Sequence, residues 1–370
     1  MSRVAVIGCG VVGAAIAYEL SQVPELQVTV FDRQPPAQAS TGAALGVLMG
    51  IISHKVKGNA WDLRRRSMRR YETLIPELEG KTGNTIPFNR QGIVLLCFEG
   101  DDLQSWQHLA QTRHDQGYSL GLWDLAELQV RCPHIQNSRL IGAIHSPGDR
   151  QLDPTALTLA FVEAARQNGV TFEFNNPVEK IESLPDEPIH RLSTSAGVVE
   201  ADWVVLSAGL GTTPLTQVAS TPVEIRPVLG QAIRIKVSEM LGDRHFQPVI
   251  TGEDVHLVPL GNREYWVGAT VEFPTDAEVR ADQAQLEAVW QKAIALCPAL
   301  ATAERLQAWS GLRPRPHNQP APIIAPLVGY NRVLLATGHY RNGVLLAPAT
   351  AQTVCKMIMD AMVMNEESKT

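Results

Sequence analysis

The 370-residue chain has few cysteines and spends them in no pattern. Cys9, Cys97, Cys132, Cys297 and Cys355 are scattered, odd in number and never in a C-x-x-C pair. That excludes a disulfide framework or a zinc-finger spacing and favours a reducing, cytoplasmic setting. Long apolar runs are missing too. The greasiest stretch, 43–52, is about half of what a membrane-spanning helix needs. The first ten residues already read as a strand, so no signal peptide is expected. An excess of positive charge is also absent: the formal net charge is −6, which gives no general pull toward nucleic acid or anionic lipid. What remains is ordinary globular composition, 45% hydrophobic and 19% charged, in a chain long enough for two domains.

The first thirty residues carry the first chemical signal. The apolar strand Val4–Ile7 breaks into Gly8-x-Gly10-x-x-Gly13, an apolar helix follows, and a second strand ends in Asp32, nineteen residues beyond Gly13. Gly8 permits the tight turn, Gly10 lets backbone approach a pyrophosphate, and Gly13 lets helix pack on strand. The helix start offers free N–H groups to phosphate, and Asp32 can accept from ribose hydroxyls. Its charge disfavours a 2′-phosphate despite the neighbouring Arg33, so NADP is not expected. Between NAD and FAD the fingerprint does not choose.

Further along, residues 59–79 read as a helix bearing Arg64, Arg65, Arg66, Arg69 and Arg70, a row taken as a solvated face rather than an RNA-binding one. Asp153 and Pro154 open an amphipathic helix as N-cap and first residue. An apolar strand ends in Ala208 and Gly209, as a buried parallel strand feeding a ligand crevice does. Residues 222–237 and 255–271 alternate as sheet strands, residues 282–296 as a helix, and the chain closes as strand, glycine turn and long helix. The fold class expected is mixed α/β, a Rossmann-like domain interleaved with a β-sheet-rich one. The boundaries fall at 1–80, 141–220 and 305–370 for the first and 81–140 and 221–304 for the second.

Six stretches together resemble the glycine oxidase and D-amino acid oxidase family of FAD flavoenzymes: "VIGCGVVG", "STGAALGVL", "SPGDRQLDPTAL", "VPLGNREYWVGAT", "WSGLRP" and "GHYRNGVLLAPAT". Within it the chain is most similar to the glycine oxidases of thiamine biosynthesis. The resemblance implies a D-amino acid oxidase-like fold and FAD, held non-covalently since the "GHY" turn lacks an attachment cysteine. It places Val11 and Val12 at the pyrophosphate turn and Asp32 and Arg33 at the adenosine ribose. Ser40, Thr41, Leu45, Gly46 and Val47 then approach pyrophosphate and flavin, and Val178 the adenine. Gly338, His339, Tyr340, Arg341, Asn342, Gly343, Val344 and Leu345 would wrap the flavin's pyrimidine edge.

Arg313 and Arg341 would face a substrate carboxylate, which a guanidinium fork pairs with through two parallel hydrogen bonds. A pair of that kind in a dry pocket costs about 2–5 kcal/mol to break. The implied reaction is hydride loss from Cα of a small amino acid, giving an imine that hydrolyses to an oxo acid and ammonia, with oxygen reduced to hydrogen peroxide. No acid or base residue is required if the amine binds neutral, and no metal is expected. One departure stands out: "VHLVPLG" puts His256 where the family carries an aromatic residue. His256 could bond the carboxylate and titrate near neutral pH, or simply fill the wall. The resemblance leaves room for a homo-oligomer, a thiazole synthase partner, and a quinone in place of oxygen. An RNA-modifying flavoprotein is disfavoured by the acidic charge.

Overall fold

The structure is a computed structural model that describes residues 1–183, 189–274 and 279–367. Strand Ser2–Ile7 begins a six-stranded sheet in the order Ile323–Pro326, Val333–Thr337, Trp203–Leu206, Ser2–Ile7, Leu26–Asp32 and Thr171–Phe174. Its pairings are parallel except at the edge strand Ile323–Pro326. Both faces are covered, which is why these strands read as continuous apolar runs. Val4 and Val6 meet the helices Val11–Leu20, Pro154–Gln167 and Gly343–Glu367, while Ala5 and Ile7 meet a three-stranded sheet of residues 178–201. The helix expected to start at Pro154 does so. Asp153 accepts hydrogen bonds from the backbone of Thr155 (2.8 Å) and Ala156 (3.0 Å).

The second sheet has eight strands, in the order Glu304–Pro316, Ile225–Lys236, Glu264–Gly268, Val255–Gly261, Val249–Gly252, Ile93–Phe98, Leu140–Ser146 and Gly121–Asp124. The helices Leu125–Arg131 and Gln283–Leu296 bury one face through Leu128, Val289, Trp290 and Ala293. On the other face, register aligns Ile144, Leu95, Thr251, His256, Gly268, Ala232 and Trp309 in one row from strand to strand. That face is turned toward Leu45, Val47, Met49 and Ile52 of the first domain. Boundaries drawn at 141 and 305 cut into strands Leu140–Ser146 and Glu304–Pro316, and both strands pair in the eight-stranded sheet.

The arginine row on helix Gly58–Thr82 is not a simple solvated face. Arg66 reaches helix Gly343–Glu367 at Ala349 O, Gln352 and Thr353, and Arg70 gives two hydrogen bonds to Glu77 (2.7 and 2.9 Å). Arg64 bonds the Ala60 carbonyl, so of the five only Arg69 stays exposed. Arg66 joins this helix to Gly343–Glu367, a role that sequence alone does not reveal. Among the described residues no helix is long and apolar enough to cross a membrane.

Candidate active site

The glycine turn is tight for stated reasons. Gly8 has φ +102°, and an added Cβ would stand 2.7 Å from Ser207 O and 2.9 Å from Ala208 Cα. A Cβ at Gly13 would collide with the Gly8 carbonyl. Ser207 Oγ donates to the carbonyls of Ile7 and Gly8 (3.0 Å each), binding the turn to the strand that ends in Ala208 and Gly209. Helix Val11–Leu20 opens at Gly10 with no side-chain cap and no acid in its first turn. Among the described residues, the Val11 N–H goes to Thr41 Oγ (3.0 Å) and the Ala14 N–H to Gly10 O (2.9 Å). The rest form an open anion cradle, so these residues fit a pyrophosphate.

Asp32 accepts from the backbone N–H of Cys9 (2.6 Å) and Gln34 (3.0 Å). A carboxylate has about four lone-pair positions, so two stay available for a ribose. Burial pushes its pKa up, and these backbone bonds pull it back. The Asn176 N–H donates to the Asp32 carbonyl (3.0 Å), which brings Val178 into the same corner.

The segment after Thr41 links this end to the large sheet. Ser40 Oγ donates to Leu312 O (2.6 Å) and Trp309 Nε1 to Ala43 O (3.1 Å). Gly311 permits the approach, since a Cβ there would meet Ala43 Cβ. Gly46 takes φ +68° close against the Leu152 carbonyl, which sets Leu45 and Val47. Beyond it, the buried Asp149 carboxylate receives three successive backbone N–H groups, from Gly50 (2.7 Å), Ile51 (2.7 Å) and Ile52 (2.9 Å). Arg113, fully buried over the Trp61 ring, holds the carbonyls of Ile51 (2.6 Å), Ser53 (2.6 Å) and Lys55 (3.0 Å). An acid and a base thus grip one loop from its two polar sides. Sequence reading passed over both residues; the only hint was that Asp149 lies in "SPGDR".

Gly338, at φ +65°, lies close against Pro316 and brings the final turn to strand Glu304–Pro316. His339 is buried with Nε2 3.0 Å from Thr350 Oγ, and burial pushes its pKa down to about 4, so it is neutral. Tyr340 to Asn342 form a single 3-10 turn, and Gly343, Val344 and Leu345 begin the long helix with no acid in its first turn. Tyr71 holds that start by donating to the Val344 carbonyl.

Arg313 is half-buried. Its Nη1 donates to Leu229 O (3.0 Å), and the guanidinium lies over Gly230, where it occupies the space of a missing side chain. Burial lowers its pKa first and Arg341 second, against Tyr340 and Glu272. Among the described residues neither arginine forms an ion pair. His256 Nδ1 is buried without a hydrogen-bond partner. Its pKa falls to about 4 through burial, then Arg341, with Asp254 opposing and Arg313 adding. This corrects the expectation of titration near neutral pH: two cations face a neutral, acceptor-capable ring. Gly230 and Glu272 were also missed, though a glycine inside a strand marks a close approach.

The family model for FAD dependent oxidoreductases matches residues 3–357. The chain is 28% identical over 362 residues to a glycine oxidase of Bacillus licheniformis, covering 98% of this chain and 94% of that one. It is 31% identical over 368 residues to the bifunctional protein ThiO/ThiG of a Synechocystis strain, covering 98% of this chain but 52% of that protein, about half its length. The crystal structure of glycine oxidase from Geobacillus kaustophilus matches with a TM-score of 0.88 at 25% identity, over 97% of this chain and 95% of that one. A glycine turn that fits a pyrophosphate, an acid at the end of the second strand and a family match over residues 3–357 agree: this chain is a flavoenzyme of the FAD dependent oxidoreductase family.

Proposed function

We propose that the enzyme oxidises a small amino acid, glycine or a small D-amino acid, to its imine. The imine hydrolyses to an oxo acid and ammonia, and oxygen leaves as hydrogen peroxide. FAD, bound non-covalently, supplies the acceptor for the hydride lost from Cα. The observation that carries this reading is the couple of half-buried Arg313 and exposed Arg341, neither in an ion pair among the described residues, beside a half-buried, neutral His256 whose Nδ1 is enclosed without a partner. Burial and the neighbouring Arg341 both disfavour the charge on Arg313, so a carboxylate between the two guanidinium groups is well placed to offset that cost. Arg313 orients that carboxylate and Arg341 adds the second contact. His256 offers a nitrogen that can accept a hydrogen bond from the substrate amine, whose neutral form the two neighbouring cations favour. The loop held by Asp149 and Arg113 presents Met49 against the same sheet face and excludes water from it. The likeness to glycine oxidases supports glycine, and the partial match to a ThiO/ThiG protein supports a working link to a thiazole synthase.

The test is anaerobic. Glycine added to the purified yellow protein bleaches the oxidised-flavin absorbance within seconds, and Arg313→Ala slows this while FAD stays bound. No bleaching by glycine or by small D-amino acids removes the proposal.

A further inference from the structure

A cavity of about 660 Å³ opens farther along the sheet face that carries His256, and Arg313, Arg341 and His256 do not line it. Its volume suits a small organic molecule. Phe88, Met240, Leu260 and Trp266 give it apolar walls. Four arginines line it as well, and two of these are already committed. Arg234 gives two hydrogen bonds to Glu264, and Arg90 lies 3.6 Å from Glu72 with its guanidinium over the Phe88 ring. The other two, Arg244 and Arg263, touch neutral acceptors: Arg244 Nε donates to His245 Nε2 (2.9 Å) and Arg263 Nη1 to Ser238 O (2.6 Å). Most of their N–H groups stay available.

Their position is built into the backbone. The hairpin joining Val255–Gly261 to Glu264–Gly268 turns through Asn262 (φ 51°) and Arg263 (φ 63°), a left-handed pair that is unusual for an arginine. The Val237 N–H donates to Arg263 O (3.0 Å) and fixes the turn. The loop carrying Arg244 is tied down through Gln247, whose side chain donates to Leu241 O (2.7 Å) and Asp243 O (2.8 Å) and whose carbonyl accepts from Asn89 (2.9 Å). Of the two lining acids, Glu264 is paired to Arg234, and Asp153 caps its helix. In a chain of net charge −6, this cavity therefore concentrates uncompensated positive charge above aromatic and aliphatic walls.

We propose that this cavity is a second ligand site, separate from the arginine–histidine site, for an aromatic carboxylate. The flat ring lies against Trp266 and Phe88, and the carboxylate takes the N–H groups that Arg244 and Arg263 leave free. A neutral ring would leave those cations unpaired, and a small inorganic anion would leave the apolar walls wet.

The test uses benzoate with Arg313→Ala holoenzyme, which removes the first of the two carboxylate contacts proposed for the inner site. Benzoate is titrated by calorimetry, with Trp266 emission as a second signal. The expected result is saturable, salt-sensitive benzoate binding that weakens about tenfold when Arg244→Ala and Arg263→Ala are added, with FAD content unchanged. Benzamide binds about tenfold more weakly than benzoate by the same contacts. The proposal is overturned by absence of binding in the Arg313→Ala protein, by affinity that ignores the two added substitutions, or by benzamide binding as well as benzoate. Inorganic phosphate competing as well as benzoate also overturns it. Because the two added substitutions lie only in the outer cavity, none of these results depends on which amino acid the enzyme oxidises.

Discussion

Replacing Gly230 by alanine should displace Arg313, the proposed carboxylate contact, without changing it chemically. A Cβ at that position would stand 2.3 Å from Arg313 Nη2 and 2.4 Å from both Cζ and Nη1. Non-bonded heavy atoms rest about 3.5 Å apart, so the guanidinium must retreat by about 1 Å. An arginine tip can swing while the backbone stays, so the fold loses only the Nη1–Leu229 bond and some rotamer preference, about 1–2 kcal/mol. A displacement of about 1 Å at a positioning group costs on the order of a hundredfold in rate. The assay is steady-state kcat/KM with whichever small amino acid bleaches the flavin, beside FAD content and a urea unfolding curve. Gly230→Ala should lose about 30- to 100-fold in kcat/KM while holding FAD. Combined with Arg313→Ala it should add almost nothing, because both changes remove one interaction. A Gly230→Ala enzyme within threefold of the parent, or losses that multiply in the double variant, would refute the reasoning.

Other outcomes follow from the same geometry. Asp149→Asn puts an amide where three backbone N–H groups need an anion, so stability should fall by about 2 kcal/mol and trypsin should cut faster at the exposed Lys55; an unchanged cutting rate would remove Asp149 as the loop's anchor. His339 protonates at about 4 when folded, against an ordinary value of 6.5. Between those pH values the unfolded chain binds the extra proton, so this contribution is full above 6.5 and is lost as pH falls toward 4. It amounts to about 2 kcal/mol between pH 7.5 and 5, and urea midpoints should show His339→Gln less acid-sensitive than the parent; equal sensitivity would contradict it. For His256, already neutral across this range, kcat/KM should show no step near pH 6.5; a step there that His256→Gln abolishes would reverse the assignment.

Much of the nucleotide end was legible because its signals are local. The glycines at 8, 10 and 13, the acid at 32 and the cap at 153 each act on neighbours a few residues away, through rules of backbone and turn. The substrate face was less legible. That Gly230 makes room for Arg313 depends on two strands meeting in a register that sets Val228 opposite Arg313 and Gly230 opposite Gly311. No local pattern encodes such a pairing. Arg113 is the extreme case: an arginine in an ordinary helix, turned inward to hold a loop some sixty residues earlier. His256 was placed correctly on its strand, but its protonation is governed by arginines at 313 and 341, whose approach only the folded chain defines.

The order of the six-stranded sheet has a consequence for biosynthesis. Strand Ser2–Ile7 leaves the ribosome first, yet one of its two neighbours is Trp203–Leu206, and that strand in turn awaits Val333–Thr337. At translation speeds of about 5–20 residues per second, the glycine turn exists for roughly 10–40 seconds before residue 203 is even made. During that interval the first strand has an open edge. The helix that packs beside it, Gly343–Glu367, is made after every other described element. A chain halted before residue 333 cannot complete the sheet that borders the glycine turn.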